Sequence, residues 1–137
     1  MPAEQNLVAG PSCSSRDVKI LIVDDHRIFL DALRDLIAAA PGFVLIGEAC
    51  SGEDALQAVE SLAPELVLMD ASMPGMGGMA AARAILSRHP GLMVVLISVN
   101  DLALERGESA RPDALAFVRK QDLHPRQLRQ LWEQRLH

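Results

Sequence analysis

The sequence predicts an α/β fold in which a parallel β-sheet is covered by helices on both faces. Two short runs, 18–23 and 66–69, are almost purely aliphatic, as expected for strands that are buried on both sides of a parallel sheet. Five strand-like runs alternate with segments of helical periodicity, which is the order of elements in a doubly wound sheet. Aromatic residues make up only 3% of the chain, so the core must be aliphatic.

The strands and the first helix follow from local patterns. Strands are predicted at 18–23, 43–49, 66–69, 92–97 and 114–118. The first helix is predicted from about Arg27 to Ala40, where Pro41-Gly42 ends it. Its buried face has the three-and-four spacing of a helix and consists of Phe29, Leu30, Leu33, Leu36 and Ile37.

The sequence patterns that predict the later helices differ in strength. Ser51 is placed to cap a second helix, which Pro64 ends, and a third helix is predicted at about 79–88. The second helix has a predicted buried stripe of Ala55, Leu56, Val59 and Leu62. A fourth helix at 101–110 is weak because Gly107 costs about 1 kcal/mol relative to Ala. Pro125 suits the first turn of the last helix, whose inner side is predicted to contain Leu128, Leu131 and Trp132.

Length and composition limit the classes of protein that the chain can be. A chain of 137 residues has room for one domain, which we assign to 17–137, after a predicted disordered N-terminal tail at 1–16. The net charge of −5 argues against direct binding of nucleic acid. There is no signal peptide and no membrane-spanning stretch, and Cys13 and Cys50 are interpreted as free thiols. These features predict a soluble cytoplasmic protein.

Three acidic residues follow directly after strand-like runs, and they are the most informative chemical feature. Asp24 and Asp25 follow the first strand, and Asp70 follows the third. In a parallel sheet, ligands bind beyond the carboxyl ends of the strands, where these acids are expected to converge. Converging carboxylates favour a hard cation, and a carboxylate can also act as a nucleophile. A divalent metal ion beside a reactive Asp carboxylate is what a protein needs in order to accept a phosphoryl group. Taken alone, Asp70 is more simply explained as a cap of the turn that follows it. Asp24 or Asp25 could cap the first helix, although an adjacent pair next to a third Asp is better explained by a metal.

Several motifs in this order resemble the receiver domain of two-component response regulators, over about 19–136. The resemblance is closest to receivers that precede LuxR-type DNA-binding domains. It depends on the motifs Val23-Asp24-Asp25-His26-Arg27, Leu68-Met69-Asp70-Ala71-Ser72-Met73-Pro74-Gly75-Met76, Leu96-Ile97-Ser98 and Phe117-Val118-Arg119-Lys120. It implies a flavodoxin-like, five-stranded sheet of order 2-1-3-4-5. It also implies that Asp70 is the phosphoacceptor, which takes a phosphoryl group from a phosphohistidine of a kinase.

The same resemblance implies a role for each remaining site residue. Mg²⁺ would be bound directly by Asp25, Asp70 and the backbone carbonyl of Ser72, and through water by Asp24. Ser98 and Lys120 match the positions that contact the phosphoryl group, and Lys120 is expected to pair with Asp70 beforehand. Phe117 matches the aromatic switch position, although a plain core role is an alternative for it. His26, His89, His124 and His137 are expected to form no ligand cluster.

The predicted function is therefore a phosphorylatable switch that is not an enzyme toward other substrates. Its expected partner is a sensor histidine kinase or phosphotransfer protein, and the family also allows a homodimer and a DNA-binding effector domain. The chain ends at His137, so we expect either a stand-alone receiver or part of a longer regulator. The alternatives are an interaction module that is not phosphorylated and, less favoured, a small phosphatase with Asp70 as nucleophile. The 101–116 segment departs from the family's sequence pattern. The resemblance places this segment on the surface through which receivers pass their signal to a partner.

Overall fold

A computed structural model of the protein describes residues 17–73, 77–98 and 115–134. The predicted tail, the predicted fourth helix and the loop residue Met76 lie outside these ranges. The described elements are β1 (Val18–Val23), α1 (Arg27–Ala38), β2 (Phe43–Ala49), α2 (Gly52–Leu62), β3 (Leu66–Asp70), α3 (Gly78–Arg88), β4 (Met93–Ser98), β5 (Leu115–Arg119) and α4 (Pro125–Gln134). A short 3-10 helix, Lys120–Asp122, connects β5 to α4.

The five described strands form one parallel sheet of order β2-β1-β3-β4-β5. This confirms the predicted order 2-1-3-4-5. Val23 pairs with Met69, and Asp70 pairs with Ile97, so the central strands end at the same level. Since all strands are parallel, their carboxyl ends form one edge of the sheet, and the acidic residues of the two central strands meet there.

The core consists of two aliphatic layers, one on each face of the sheet. On one face, α2 and α3 pack against alternate residues of the central strands such as Leu21, Val67 and Leu96. On the other face, α1 and α4 pack against the intervening residues, for example Ile20 and Leu68. Strand residues alternate between the two faces, so both sets are apolar and the runs read as continuous aliphatic segments.

For the helices within the described residues, the predicted limits are correct to within two residues. Ser51 caps α2 as predicted, because its Oγ accepts the backbone N–H of Asp54 at 3.1 Å. α4 begins at Pro125, as predicted. α1 ends at Ala38 rather than Ala40, because the N–H of Ala40 turns to the carbonyl of Ile37 ahead of the Pro-Gly turn.

The predicted buried stripe of α2 is wrong at one position. Ala55 and Val59 are buried, but Leu62 is 41% exposed. Leu62 lies over Gly47 of the edge strand β2, and its Cδ1 is 2.5 Å from the point where a Cβ on Gly47 would be. An edge strand has a neighbour on one side only, so a side chain above it keeps contact with water. Within the described ranges, no helix has the length and apolar character needed to cross a membrane.

Candidate functional site

Asp70 is the last residue of β3 and is held in a tight local structure. It is only 5% exposed, and its Oδ1 accepts the backbone N–H of Ser72 at 3.1 Å. α3 starts against this turn at Gly78, where a Cβ would collide with the Asp70 carbonyl oxygen and lie 2.6 Å from the Cα of Ala71. The absence of a side chain at Gly78 therefore lets the helix approach the turn that positions Asp70.

Asp24 directly follows β1, whose last residue Val23 pairs with Met69, the residue before Asp70. The side chain of Asp24 is completely buried, and its Oδ1 accepts the N–H of His26 at 2.8 Å. The other oxygen, Oδ2, is buried and has no hydrogen-bond partner among the residues that the structure describes. His26 is the N-cap residue of α1, so Asp24 also orders the entry to this helix. Asp24 does not cap α1 itself, because its bond goes to the N–H of the N-cap residue and not to an N–H of the first helical turn.

Asp25 completes what we call the acidic cluster, namely Asp24, Asp25 and Asp70. One carboxylate oxygen from each, together with a ring nitrogen of His26, lie within 4.8 Å of one another. The pKa of Asp70 is raised, chiefly by burial; the negative charges of Asp24 and Asp25 add to this, while the Ser72 N–H and Lys120 oppose it. A cation would relieve both the repulsion and the unpaired Oδ2. The donor set therefore fits a divalent metal ion.

His26 is a member of this site that sequence reasoning missed. Its Nδ1 is 3.2 Å from Asp24 Oδ1 and 3.1 Å from Asp25 Oδ1, and its side chain is 68% exposed. The expectation was that the four histidines would form no ligand cluster. The structure shows that the turn into α1 brings the His26 ring back onto the carboxylates, so His26 belongs with the acidic residues. The available signal was its position directly after the acidic pair.

Ser98 and Phe117 lie on neighbouring strands at the same edge of the sheet. Ser98 ends β4 and is 2% exposed, and Phe117 of β5 pairs in register with Leu96. Residues two apart on a strand share a face, so Ser98, Leu96 and Phe117 lie on the α2/α3 side. Phe117 is half-buried and packs against the core layer on that side. The core role and the switch role of Phe117 are compatible with this location.

Lys120 follows β5 and does not form the ion pair with Asp70 that the sequence led us to expect. Among the described residues, no ion pair within 4.0 Å joins the two; the Nζ of Lys120 lies 3.8 Å from the centroid of the Phe29 ring. Phe29 belongs to the first turn of α1 and is half-buried. An aromatic face attracts an ammonium group, so Phe29 holds Lys120 close to the cluster but apart from Asp70.

Comparisons with known proteins agree with the fold and extend over most of the chain. Residues 20–133 match the model of the response regulator receiver domain. The response regulator GacA of Pseudomonas syringae pv. syringae (strain B728a) is 40% identical over 82 residues, which are 60% of this chain and 38% of that protein. The chain therefore spans much less than the whole length of this relative.

Two crystal structures have the same architecture. A LuxR-family two-component response regulator from Aurantimonas sp. SI85-9A1 is 29% identical, with a TM-score of 0.72 over 86% of this chain and 84% of that chain. The response regulator domain of Thermotoga maritima CheB is 25% identical, with a TM-score of 0.76 over 89% of this chain and 98% of that chain. Since the family model covers most of the sequence and the sheet has the order found in these domains, the chain belongs to the family of response regulator receiver domains.

Proposed function

We propose that this chain accepts a phosphoryl group on Asp70 from a histidine kinase or phosphotransfer protein, in a Mg²⁺-dependent reaction, and thereby changes its output surface. The proposal rests on one observation. The nearly buried carboxylate of Asp70, at the end of β3, lies beside the carboxylates of Asp24 and Asp25, and their oxygens are close enough together to bind one metal ion. Acids that converge in this way repel one another, which costs stability unless a cation balances their charge.

The chemistry requires positioning more than acid–base groups. An oxygen of Asp70 attacks the phosphorus of a phosphohistidine, the P–N bond breaks, and the leaving imidazole takes up a proton from solvent. The product is an acyl phosphate on Asp70. The Ser72 N–H, which donates to Oδ1 at 3.1 Å, leaves the other oxygen of Asp70 to act as the nucleophile. In-line positioning and charge neutralisation are the main requirements of phosphoryl transfer.

The charge of the incoming phosphoryl group has to be balanced. Asp24, Asp25 and Asp70 would hold the Mg²⁺, with the Ser72 carbonyl as a further ligand. The ion would neutralise the phosphoryl oxygens when bound. Lys120 supplies a second positive charge if its ammonium leaves the face of Phe29, 3.8 Å away, for a phosphoryl oxygen. This exchange is favourable because a dianion attracts an ammonium more strongly than an aromatic ring does.

The switch would work through β4 and the edge strand β5. Ser98 can donate its hydroxyl to a phosphoryl oxygen at the end of β4. Movement of Ser98 frees space on the face that it shares with Phe117, so the ring can turn inward. β5 lies at the edge of the sheet beside β4, and a change there alters a surface that a partner can contact. The 101–116 segment, which the resemblance places on the output surface, leads into β5, and its residues 101–114 lie outside the described residues.

The subgroup and the wider partners also belong to this proposal. The Asp-Asp-His opening and the likeness to the LuxR-family structure support a regulator whose receiver works with a DNA-binding effector domain. A homodimer is the simplest arrangement by which two such domains would read a two-fold symmetric DNA site. Cys50 is an exposed free thiol, which fits a reducing compartment such as the cytoplasm.

The proposal is tested by chemical phosphorylation of the full chain. Wild type is incubated with acetyl phosphate and MgCl₂, and its intact mass is compared with that of Asp70→Asn and of Asp35→Asn. Asp35 is an exposed residue of α1 outside the cluster, so this variant is a matched control. Wild type and the control should gain one phosphoryl group and the Asp70 variant none. Borohydride reduction, which converts an acyl phosphate to an alcohol, should then mark position 70.

A second donor tests the partner class. An autophosphorylated histidine kinase domain should transfer its label to wild type and not to Asp70→Asn. If wild type gains no phosphoryl group from either donor, or if the Asp70 variant gains it equally, the assignment fails. The interpretation as an interaction module that is not phosphorylated replaces it only in the first case; in the second, another residue accepts the phosphoryl group.

A further inference from the structure

The side chain of Lys120 lies on an aromatic ring rather than on a carboxylate. Its Nζ is 3.8 Å from the centroid of the Phe29 ring, well inside the distance of about 6 Å over which an aromatic face attracts an ammonium group. Asp70 also attracts Lys120 electrostatically, yet Lys120 forms no ion pair with a carboxylate of the described residues. The ring and the acidic cluster therefore compete for one ammonium group, and in this structure the ring holds it.

Local structure positions both members of this contact. Phe29 lies in the first turn of α1 and packs against the core layer that α1 and α4 cover. The backbone of Lys120 is set by the 3-10 turn that it begins: Arg119 Nε donates to Asp122 Oδ2 at 2.9 Å, and the N–H of Leu123 donates to the Lys120 carbonyl at 3.4 Å. The four-carbon stem of Lys120 is flexible, so the ammonium can leave the ring while both elements stay in place. The ring thus offers a fixed resting place that Lys120 occupies reversibly.

We propose that Phe29 is a positioning residue: its ring holds Lys120 in a resting place beside the acidic cluster, and the strength of this contact sets how tightly a phosphoryl group is bound at Asp70. The inference rests on the proposed function, because Lys120 acts here by contacting the phosphoryl group. Before phosphorylation the ammonium lies on the ring, and afterwards it lies on a phosphoryl oxygen. The free energy of the resting contact is given up in this exchange, so a stronger contact lowers the affinity for the phosphoryl group.

The size of the effect follows from the type of contact. A cation–π pair changes an equilibrium constant by roughly two- to thirtyfold, the smaller factor for an exposed pair and the larger for a desolvated one. Both side chains are partly buried, which places this pair between the two limits. Removing the ring should therefore raise the affinity for a phosphoryl group by a factor in this range, whereas a substitution that keeps a ring should leave the affinity unchanged.

The experiment titrates the full chain with beryllofluoride, a non-covalent analogue of the phosphoryl group, at saturating MgCl₂ and follows binding by ¹⁹F NMR. Phe29→Leu should bind beryllofluoride roughly two- to thirtyfold more tightly than wild type, and Phe29→Tyr should bind it as wild type does. Phe43→Leu is the matched control, because Phe43 belongs to the same core layer and the cation near its ring is Arg129, 6.0 Å away. Its affinity should equal that of wild type. Circular dichroism of each variant checks that the fold is retained.

The lysine signals report the contact itself. The chain contains two lysines, Lys120 and the exposed Lys19, so ¹³C-lysine labelling gives one signal of interest and one internal reference. Protons above an aromatic face are shielded, so the terminal methylene protons of Lys120 should be shielded relative to those of Lys19 in wild type and Phe29→Tyr. The shielding should be lost in Phe29→Leu, and in wild type when beryllofluoride binds. A Lys120 signal that equals that of Lys19 in wild type, or that stays shielded with beryllofluoride bound, overturns the inference.

Equal or weaker binding of beryllofluoride by Phe29→Leu, or an equal gain by Phe43→Leu, also overturns the inference. These outcomes are separable from that of the proposed function. If Asp70 is phosphorylated and Phe29→Leu binds beryllofluoride as wild type does, the phosphoacceptor stands and the role of Phe29 falls. If wild type accepts no phosphoryl group and binds no beryllofluoride, the proposed function falls and the inference falls with it.

Discussion

Replacing Asp70 by Asn should stabilise the metal-free protein, although it removes the residue on which we propose the function depends. Asp70 is 5% exposed, and one of its oxygens lies within 4.8 Å of carboxylate oxygens of Asp24 and Asp25. Asn has nearly the same shape, and its Oδ1 can still accept the Ser72 N–H. The substitution therefore removes repulsion and the cost of burying a charge, and it leaves no cavity.

The size of the effect follows from the distances. Two unit charges 4.8 Å apart repel by about 3.5 kcal/mol at an effective dielectric constant of about 20. Lys120 attracts Asp70 and offsets part of the repulsion. We expect Asp70→Asn to raise the free energy of unfolding by roughly 3 kcal/mol, which is about 10 °C in Tm for a domain of this size.

The gain should depend on pH in a defined direction. The pKa of Asp70 is raised in the folded protein, so ionising it costs stability when the pH is above that raised value. Below its ordinary pKa, Asp70 is protonated in both the folded and unfolded states, and this cost disappears. The advantage of Asp70→Asn should therefore be largest near neutral pH and decline as the pH falls through the raised pKa.

Urea unfolding in EDTA at low ionic strength, followed by circular dichroism, measures the difference. Asp35→Asn on α1 removes the same charge outside the cluster and should change stability by less than about 0.5 kcal/mol. With Mg²⁺ at 100 times its Kd, wild type should gain about 2.7 kcal/mol and the variant less. If Asp70→Asn is no more stable than wild type in EDTA, or if the control is stabilised equally, mutual repulsion is not a significant term in this site.

Two further substitutions test the local structure around the site. Gly78→Ala should cost about 1–3 kcal/mol and slow phosphorylation, because its Cβ would meet the backbone of Asp70. Gly91→Ala, whose Cβ would meet nothing within 4 Å, should leave phosphorylation unchanged; equal effects of the two in thermal melts would contradict the close approach. Ser51→Ala should cost about 1 kcal/mol through loss of the α2 cap. Ser87→Ala, an exposed residue that bonds only within its own helix, should cost less in the same urea titration.

The order of the elements and the place of the acids could be predicted from the sequence alone. Aliphatic runs, helical spacing and Pro-Gly breaks are local patterns, and a parallel sheet is the arrangement that buries such runs on both faces. The position of Asp70 at a strand end follows from the same local pattern, because it is the first charged residue after an apolar run. The cap at Ser51 is also local, since its donor is three residues away.

Other features depended on which side chains meet in space. Leu62 is exposed because α2 passes over an edge strand, and strand order is not visible in the spacing of α2. Lys120 lies on Phe29 because α1 and the end of β5 are brought together by the sheet, although 91 positions separate them in the chain. His26 joins the acidic cluster through the angle at which the chain enters α1. Periodicity assigns a residue to an element and a face, whereas contacts between elements depend on distances that only the folded chain sets.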